Sequence, residues 1–249
     1  MTIETPTYVV NLPRRADRRE RMAARLAQFS TVVFTSDWAP DFDGQRQTAL
    51  LAENPRVSLS PWQDLTSTNP WFSRPLKWGE VGCSLAHIAC WEDFVRSGEQ
   101  EAIFLEDDAQ PIPSFANHLQ QILAEARRHR FDLIYLGRVP QAPDRADHGR
   151  LVDPGYSHCT YSYVLSASGA RKLLAMEPWR DLIPVDEFLP ATYTQHPRRD
   201  VATRFGSDVQ AIACKPDIVL QDPKDVMGSD TELSGFVTPH SAAVAADAG

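Results

Sequence analysis

The amino-acid sequence predicts an α/β domain in which a mostly parallel central sheet is flanked by helices. The chain opens with an apolar strand, a helix and a β-branched run at residues 8–12, 16–29 and 31–34, which is the repeating unit of parallel α/β sheets. Further apolar runs then alternate with amphipathic stretches. Its 249 residues are enough for one sizeable core, so we expect a single domain over residues 1–237 and a disordered tail over 238–249.

The first elements are bounded by residues that break or begin helices. Pro13 ends the first strand, and Asp17 stands near the start of the first helix. Met22 and Leu26 fall on one face of that helix, and its many arginines are expected on the exposed face. Residues 36–75 are polar and rich in Pro, Trp and Ser, which predicts an irregular or flexible region of the kind that often carries function.

The later elements follow from the spacing of apolar residues along the chain. Helices are predicted at residues 82–96 and 115–129 and from residue 168 to Pro178. Strands are predicted at residues 102–105, 132–137 and 162–165 and within 212–220. The remaining stretches are a polar loop at 139–153 and an apolar segment at 185–189.

Composition excludes several classes of protein. The formal net charge of -8 argues against a nucleic-acid partner. Four cysteines without a CxxC pair indicate neither a disulfide scaffold nor a zinc ribbon, and Cys83 and Cys90 are expected to be small core residues. The N-terminus lacks the pattern of a signal peptide, and no apolar run approaches the ~20 residues that span a bilayer. We therefore expect a cytoplasmic protein without a membrane span, and contact with a membrane surface stays open.

Three consecutive carboxylates, Glu106, Asp107 and Asp108, follow a short apolar strand. Such a cluster at the end of a buried strand is costly unless a cation lies beside it. If the strand continued, Glu106 and Asp108 would share one face and Asp107 would point to the other. Converging oxygen ligands suit a hard divalent cation that keeps waters and also binds substrate phosphates. The alternative is a solvated acidic loop.

A second candidate group is a glycine-bracketed carboxylate at the start of a helix. Gly79 and Gly82 flank Glu80, so backbone N–H groups there could approach an anionic ligand closely. The alternative is a tight turn that needs glycine for its backbone angles. His87, one turn further along, is either a ligand or base, or a hydrogen-bonded core residue.

A third group, Asp186 and Glu187, lies in an apolar segment bounded by prolines. Desolvation there would raise the pKa of a carboxylate and suit it to act as a general base. The alternative is a helix cap or an ion pair with Arg198 or Arg199. Taken together, the residues predict a divalent metal, a phosphate-bearing ligand and a separate carboxylate. Sugar-nucleotide transfer, a phosphatase and a nucleotidyltransferase all fit that set.

Seven motifs in order, spread over residues 7–236, resemble glycosyltransferase family 25. That family includes bacterial lipopolysaccharide galactosyl- and glucosyltransferases and the collagen β-galactosyltransferases. The motifs are YVVNLPRRADRRERM, RPLKWGEVGCSLAH, AIFLEDDAQP, DLIYLGR, YSYVLSASGARKLL, PVDEFLP and GSDTE. Any one of them is weak evidence, whereas seven in the family's order are specific.

The resemblance implies a GT-A type fold, a UDP-sugar donor with galactose as the expected sugar, Mn²⁺ and inversion at the anomeric carbon. The acceptor would be the hydroxyl of a glycan, a lipid-linked saccharide or a peptide. Glu106 and Asp108 would hold the metal, and Asp186 with Glu187 would supply the base. The residues matching the donor-binding motifs are Asn11, Arg14, Arg15, Gly79, Glu80, Gly82, His87 and Asp107.

Two departures from the family's pattern leave other functions open. The serine that the family usually places before the histidine is Ala86 here, and the stretch 221–225 lacks an expected histidine. A catalytically degenerate UDP-sugar-binding relative is therefore one alternative, and a metal-dependent phosphatase is the other.

Overall fold

The most apolar runs of the chain form the middle of one eight-stranded sheet, ordered β2-β1-β3-β8-β5-β9-β7-β6. The structure is a computed structural model that describes residues 2–206, 208–224 and 228–238. Its strands are β1 Thr7–Val10, β2 Val32–Phe34, β3 Glu101–Glu106, β4 Ala109–Pro111, β5 Leu133–Pro140, β6 Ala146–Asp147, β7 Leu151–Asp153, β8 Ser157–Ser166, β9 Ala211–Cys214 and β10 Val219–Gln221. Its helices are α1 Ala16–Arg25, α2 Thr48–Ala52, α3 Trp78–Ser97, α4 Phe115–His129, α5 Ala167–Ala175, α6 Val185–Ala191 and α7 Arg199–Arg204.

Most strands of this sheet run in one direction. Strand β1 pairs in parallel with β2 and β3, and β5 pairs in parallel with β9. Strand β8 lies between β3 and β5 and is antiparallel to both. A separate two-stranded ribbon joins β4 and β10. The predicted α/β class with a mostly parallel central sheet is confirmed, and it is consistent with the GT-A type fold that the resemblance implies.

The alternation of side chains along the strands divides the core between the two faces of the sheet. On one face, Tyr8, Phe104 and Tyr163 stack across three adjacent strands, with ring centroids 5.3 and 5.1 Å apart. That face packs against α3, α5 and α6. The opposite face, with Val9 and Val164, packs against α1 and α4. Both faces are therefore buried, as expected of a sheet built from strand–helix units.

Several predicted boundaries differ from the structure. Helix α1 ends at Arg25 rather than at residue 29, whereas α3 begins four residues earlier than predicted, at Trp78. The predicted polar loop at 139–153 contains the end of β5 and all of β6 and β7, and the apolar segment at 185–189 is part of α6. Strand β8 has ten residues, because pairing with β5 extends it over a polar stretch that has little strand propensity of its own.

The stretch 36–75 is irregular, as predicted. Its regular parts are a 3₁₀ turn that begins at Thr35 and the short helix α2. Trp62 and Phe72 are buried and pack edge to face with centroids 5.7 Å apart, so this irregular segment contributes to the core. Within the described ranges, no helix has both the length and the apolar character that crossing a bilayer requires. The single-domain boundary stays a prediction, and residues 239–249 of the predicted tail lie outside the described residues.

Candidate active site

A cleft of about 240 Å³ opens at the carboxyl ends of β1 and β3. Ligands of open α/β sheets bind outside the carboxyl ends of the strands, so the cleft lies where this fold class places its sites. It brings together nine of the residues that the sequence predicted: Asn11, Gly79, Glu80, Gly82, Glu106, Asp107, Asp108, Asp186 and Glu187.

Asp107 is held by buried protein donors. Its carboxylate accepts hydrogen bonds from Asn11 Nδ2 at 2.8 Å and from Arg18 Nη1 at 2.7 Å. Burial raises the pKa of Asp107, although the Arg18 guanidinium opposes that shift. Arg18 is only 5% exposed, so the expectation that the arginines of α1 lie on its exposed face is wrong for this residue. These two hydrogen bonds hold the loop after β1 and the start of α1 against the turn after β3.

Glu106 is the last residue of β3, and the chain turns at Asp107 and Asp108. The predicted alternation of the three carboxylates therefore stops with the strand. Glu106 accepts a hydrogen bond from Thr160 Oγ1 at 2.6 Å, and its Oε1 lies 3.7 Å from His87 Nε2. Burial opposes the charged form of Glu106, but the nearby imidazole and hydroxyl outweigh it and lower the pKa of this carboxyl.

Asp108 has an oxygen without a protein partner. Its Oδ2 accepts a hydrogen bond from Gln221 Nε2 at 3.1 Å, while its buried Oδ1 has no hydrogen-bond partner among the described residues. Burial, reinforced by the charges of Glu106 and Asp107, raises the pKa of Asp108 to about 7. A buried carboxylate oxygen in this state is stabilised by a bound cation.

The charges lining the cleft also favour a bound cation. Its described residues supply nine carboxylates but only three lysine or arginine side chains. The basic side chains are Arg18, Arg74 and Lys224, and the acidic ones are Asp43, Glu80, Glu106, Asp107, Asp108, Asp186, Glu187, Asp230 and Glu232. The residues present therefore fit a hard divalent cation bound by oxygen ligands.

The glycines at the start of α3 admit neighbouring backbone. A Cβ on Gly79 would lie 2.6 Å from Thr231 Cα, and one on Gly82 would lie 1.9 Å from the carbonyl oxygen of Phe42. The N–H of Gly79 already donates to Ser234 Oγ at 2.8 Å. Both glycines lie inside α3 with ordinary helical backbone angles, so the tight-turn alternative is wrong for them. Close packing accounts for their presence, and their contact with a donor stays a prediction.

Glu80 is engaged by its own helix and by a neighbouring arginine. Its carboxylate accepts from the backbone N–H of Lys77 at 2.7 Å and forms a two-pronged pair with Arg74, at 2.9 and 2.5 Å. The first contact caps α3. The second holds the Arg74 side chain at the wall of the cleft.

Arg14 and Arg15 do not line the cleft themselves, but they form ion pairs with acidic residues that do. Arg14 pairs with Asp43 and, at 2.6 Å, with Asp230. Arg15 pairs with Asp230 at 2.6 Å and with Asp17 at 2.8 Å. These arginines therefore attach the segment 228–237 to the start of α1, and their predicted contact with the nucleotide stays a prediction.

The segment 228–237 contributes residues 229–232 to one wall of the cleft. Further hydrogen bonds attach this segment to the start of α3. The backbone N–H of Trp78 donates to Gly235 O at 2.9 Å, and that of Val237 donates to Leu76 O at 2.8 Å. Lys77 Nζ donates to Glu232 O at 2.7 Å.

Glu187 and Asp186 have different surroundings although they are adjacent on α6. Glu187 is 4% exposed and accepts hydrogen bonds from Tyr156 Oη at 2.5 Å and from His196 Nε2 at 2.8 Å; His158 Nε2 lies 3.5 Å away. These partners are neither the cap nor the Arg198 or Arg199 ion pair given as the alternative.

Asp186 is half-buried and lines the cleft. Burial and the carboxylates of Glu187 and Glu80 raise the pKa of Asp186 well above its usual range.

Cys83 lines the cleft, whereas Cys90 is fully buried. The expectation that both are core residues therefore holds only for Cys90. His87 is fully buried and does not line the cleft, and its Nδ1 lies 2.7 Å from Tyr163 Oη.

Sequence reasoning missed several residues of the site. They are Arg18, Trp62, Trp71, Arg74, Tyr156, His158, Thr160, His196 and Lys224. Trp62, Trp71 and Arg74 lie in or next to the irregular stretch, where the density of aromatic residues was the available signal. Arg18 meets Asp107 through the pairing of β1 with β3, Thr160 meets Glu106 through the pairing of β3 with β8, and Tyr156 and His196 meet Glu187 through the packing of α6.

The sheet order and the acidic cleft at its strand ends are consistent with a GT-A-like nucleotide-sugar transferase fold. The family model described as "Glycosyltransferase family 25 (LPS biosynthesis protein)" matches residues 4–152. The chain belongs to glycosyltransferase family 25.

Two of the curated relatives of the chain carry different kinds of name. A Bos taurus protein named "Probable inactive glycosyltransferase 25 family member 3" is 38% identical over 240 residues, covering 91% of this chain and 39% of that protein. A Danio rerio protein named "Procollagen galactosyltransferase 1" is 34% identical over 242 residues, covering 91% of this chain and 38% of that protein. The chain thus spans about two fifths of the length of these relatives.

Proposed function

We propose that this chain is an inverting, metal-dependent glycosyltransferase that moves a hexose, with galactose as the expected sugar, from a UDP-sugar to an acceptor hydroxyl. The observation that carries the proposal is the presence of Asp108 and Asp186 in one cleft, each with a raised pKa. Neither carboxylate forms an ion pair with a basic side chain among the described residues. The chain's membership of family 25, together with a relative named as a galactosyltransferase, supports this class of reaction.

Asp108 and Glu106 are the residues proposed to hold the metal. The partnerless Oδ1 of Asp108 supplies one ligand, and Glu106 supplies a second carboxylate at the end of β3. When bound there, Mn²⁺ would neutralise charge that develops on the departing UDP. Asp107 contributes by holding Arg18 and Asn11, which keeps the turn in place.

Asp186 is the proposed general base. It accepts the proton of the acceptor hydroxyl as the acceptor oxygen bonds to the anomeric carbon and the bond from that carbon to the UDP oxygen breaks. One displacement of this kind inverts the anomeric centre and needs a single base. Because its pKa is raised, the ionised form of Asp186 is a stronger base than an ordinary aspartate, and the buried Glu187 holds the first turn of α6.

The acceptor is proposed by class alone, as a hydroxyl of a glycan, a lipid-linked saccharide or a peptide. Trp71 is 43% exposed and lines the cleft next to Arg74, whose guanidinium lies 5.0 Å from its ring centroid. An exposed aromatic face at the rim of a cleft is a suitable surface for a sugar ring.

We also propose a cytoplasmic location, on the composition of the chain.

A second candidate function is UDP-sugar binding without turnover. The relatives named inactive favour it, as does Ala86 in place of the family's usual serine. Against it, the acidic triplet and the pair on α6 are both present and lie in the same cleft. The proposed metal site is the only feature that supports the phosphatase alternative.

The experiment is a UDP-release assay over a panel of UDP-sugars, with and without Mn²⁺ and candidate acceptors. We expect Mn²⁺-dependent release in the wild type, and a loss of at least about a hundredfold in Asp108→Asn and in Asp186→Asn. Asp37→Asn is the matched control, because Asp37 is an exposed acid paired with Arg19, and it should keep the wild-type rate.

The other outcomes separate the alternatives. UDP binding without release under any condition supports the inactive relative. Release of inorganic phosphate from simple esters supports the phosphatase. Wild-type rates in both cleft variants contradict the assigned roles.

A further inference from the structure

Three potential metal ligands of different chemistry meet beside the acidic triplet. Cys83 and His87 lie one turn apart on α3, and Glu106 ends the neighbouring strand β3. Cys83 Sγ, a ring nitrogen of His87 and a carboxylate oxygen of Glu106 all lie within 4.8 Å of one another. Among the described residues, this is the one set of three such groups that comes so close together.

His87 supplies an independent observation that points to a ligand. The side chain is fully buried, and its Nε2 has no hydrogen-bond partner among the described residues. The nearest carboxylate oxygen, Glu106 Oε1, is 3.7 Å away, which is too far for a hydrogen bond. Buried polar atoms in folded proteins almost always have a partner, so this nitrogen lacks one that a bound ion would provide.

The other ring nitrogen has a hydrogen-bond partner, and the direction of that bond depends on the tautomer of the imidazole. His87 Nδ1 lies 2.7 Å from Tyr163 Oη, and that oxygen also accepts a hydrogen bond from Trp91 Nε1 at 2.8 Å. When Nδ1 donates to Tyr163, the lone pair of Nε2 is directed toward Cys83 and Glu106. A hydrogen bond at the remote nitrogen is the usual support of a ligating imidazole.

We propose that Cys83, His87 and Glu106 form a binding site for a borderline divalent transition metal, of which zinc is the best match. Thiolate, imidazole and carboxylate together select zinc or cobalt over Mn²⁺ or Mg²⁺, which prefer oxygen. In a tetrahedral zinc site with bonds of about 2.0–2.3 Å, ligand atoms lie roughly 3.3–3.8 Å apart, and the His87–Glu106 separation falls in that range.

The site goes beyond the proposed transferase and affects it through one shared residue. Cys83 and Glu106 line the cleft, so three protein ligands leave the fourth position on the cleft side. Zinc bound here would withdraw Glu106 from the oxygen-ligand site proposed with Asp108. Zinc would therefore inhibit Mn²⁺-dependent turnover.

The test uses Co²⁺ as a spectroscopic substitute for zinc, titrated into the full chain. We expect one equivalent to bind with the visible bands of tetrahedral cobalt and with a near-ultraviolet thiolate-to-cobalt band, and zinc should displace it. Cys83→Ser should abolish the thiolate band, and His87→Gln should weaken binding by more than about tenfold. Cys159→Ser is the matched control, because Cys159 is the other thiol that lines the cleft among the described residues, and it should keep the band.

Circular dichroism of each variant establishes that loss of the band does not reflect unfolding. Absence of a thiolate band in the wild type, or its persistence in Cys83→Ser, overturns the proposal. The spectrum requires no turnover, so this result is separate from the UDP-release assay. A cobalt site without any UDP release would contradict the transferase and retain the zinc-class site.

Discussion

The two acidic groups of the cleft, the triplet that ends β3 and the pair on α6, have the same arrangement with different anchors. In each, one carboxylate is held by buried donors and another faces the cleft with a raised pKa. Asp107 is anchored by the Arg18 guanidinium, a fixed cation. Glu187 is anchored by a tyrosine hydroxyl and an imidazole.

The difference indicates how each group would work. At the triplet, the fixed cation already balances one carboxylate, and Asp108 still has a partnerless oxygen, which suits a second, exchangeable cation. At the pair, no arginine or lysine among the described residues lies within ion-pair distance of either carboxylate. Asp186 is therefore suited to gain and lose a proton rather than to hold a metal.

The largest expected effect separates the two carboxylates of α6. Asp186→Asn should lower turnover by about 10²–10⁴-fold, because it removes the base, and it should not lower stability, because the amide resembles the uncharged carboxyl that burial favours. Glu187→Gln should lower the melting temperature, because Tyr156 and His196 lose their charged acceptor. Steady-state kinetics and thermal unfolding on the same samples measure both. Equal losses of stability in the two variants would mean that the pair is not divided in this way.

The next effect tests the anchor of the triplet. Asp107→Ala should reduce the free energy of unfolding by about 1–3 kcal/mol, since it removes the carboxylate 2.7 Å from the buried Arg18 guanidinium, whereas Asp230 Oδ2 stays 3.8 Å from it. Asp108→Ala is the matched control and should cost much less at neutral pH. Urea unfolding of both variants checks this. If Asp108→Ala were the more destabilising of the two, the assignment of anchor and metal ligand would be reversed.

The smallest effect is a pH dependence of stability. The pKa of Asp108 is raised to about 7 in the folded state, so between its ordinary value and about 7 the native protein holds a proton that the unfolded chain has lost. That contribution is present at low pH and disappears as the pH rises through the folded pKa. Relative to Asp108→Asn, the wild type should lose on the order of 2 kcal/mol between pH 5 and 7.

Urea unfolding at several pH values, with a chelator present, measures this difference. Parallel curves for the wild type and Asp108→Asn would contradict the raised pKa. Added Mn²⁺ should stabilise the wild type at pH 7 and leave the variant nearly unchanged, because the ion binds the folded state.

The sequence located the carboxylates of the site but not their anchors. An apolar run followed by acids, and two acids between prolines, are local patterns that can be recognised within about ten residues. The partners of these acids lie far along the chain: Arg18 is 89 positions from Asp107, and Tyr156 is 31 from Glu187. They meet only because β1 pairs with β3 and because β8 passes beside α6.

Large separations in sequence also explain why the ion pairs of the arginines before α1 were not predicted. Arg15 appeared to be available for a nucleotide, but its partner Asp230 is 215 positions away, and no local pattern reveals that pair.

The fold class was predictable because it depends on the alternation of strands and helices. Strand β8 was underestimated because its first residues are polar and become a strand only through pairing with their neighbours.

The wall of the cleft formed by residues 228–237 has a consequence for the integrity of the molecule. Its bonds run to the starts of α1 and α3, so the end of the described chain is fastened to its beginning along one side of the cleft. A shortened protein that stopped after β10 would retain every strand of the large sheet and lose that fastening. Good solubility and a native circular dichroism spectrum would then be no guarantee that the cleft is intact.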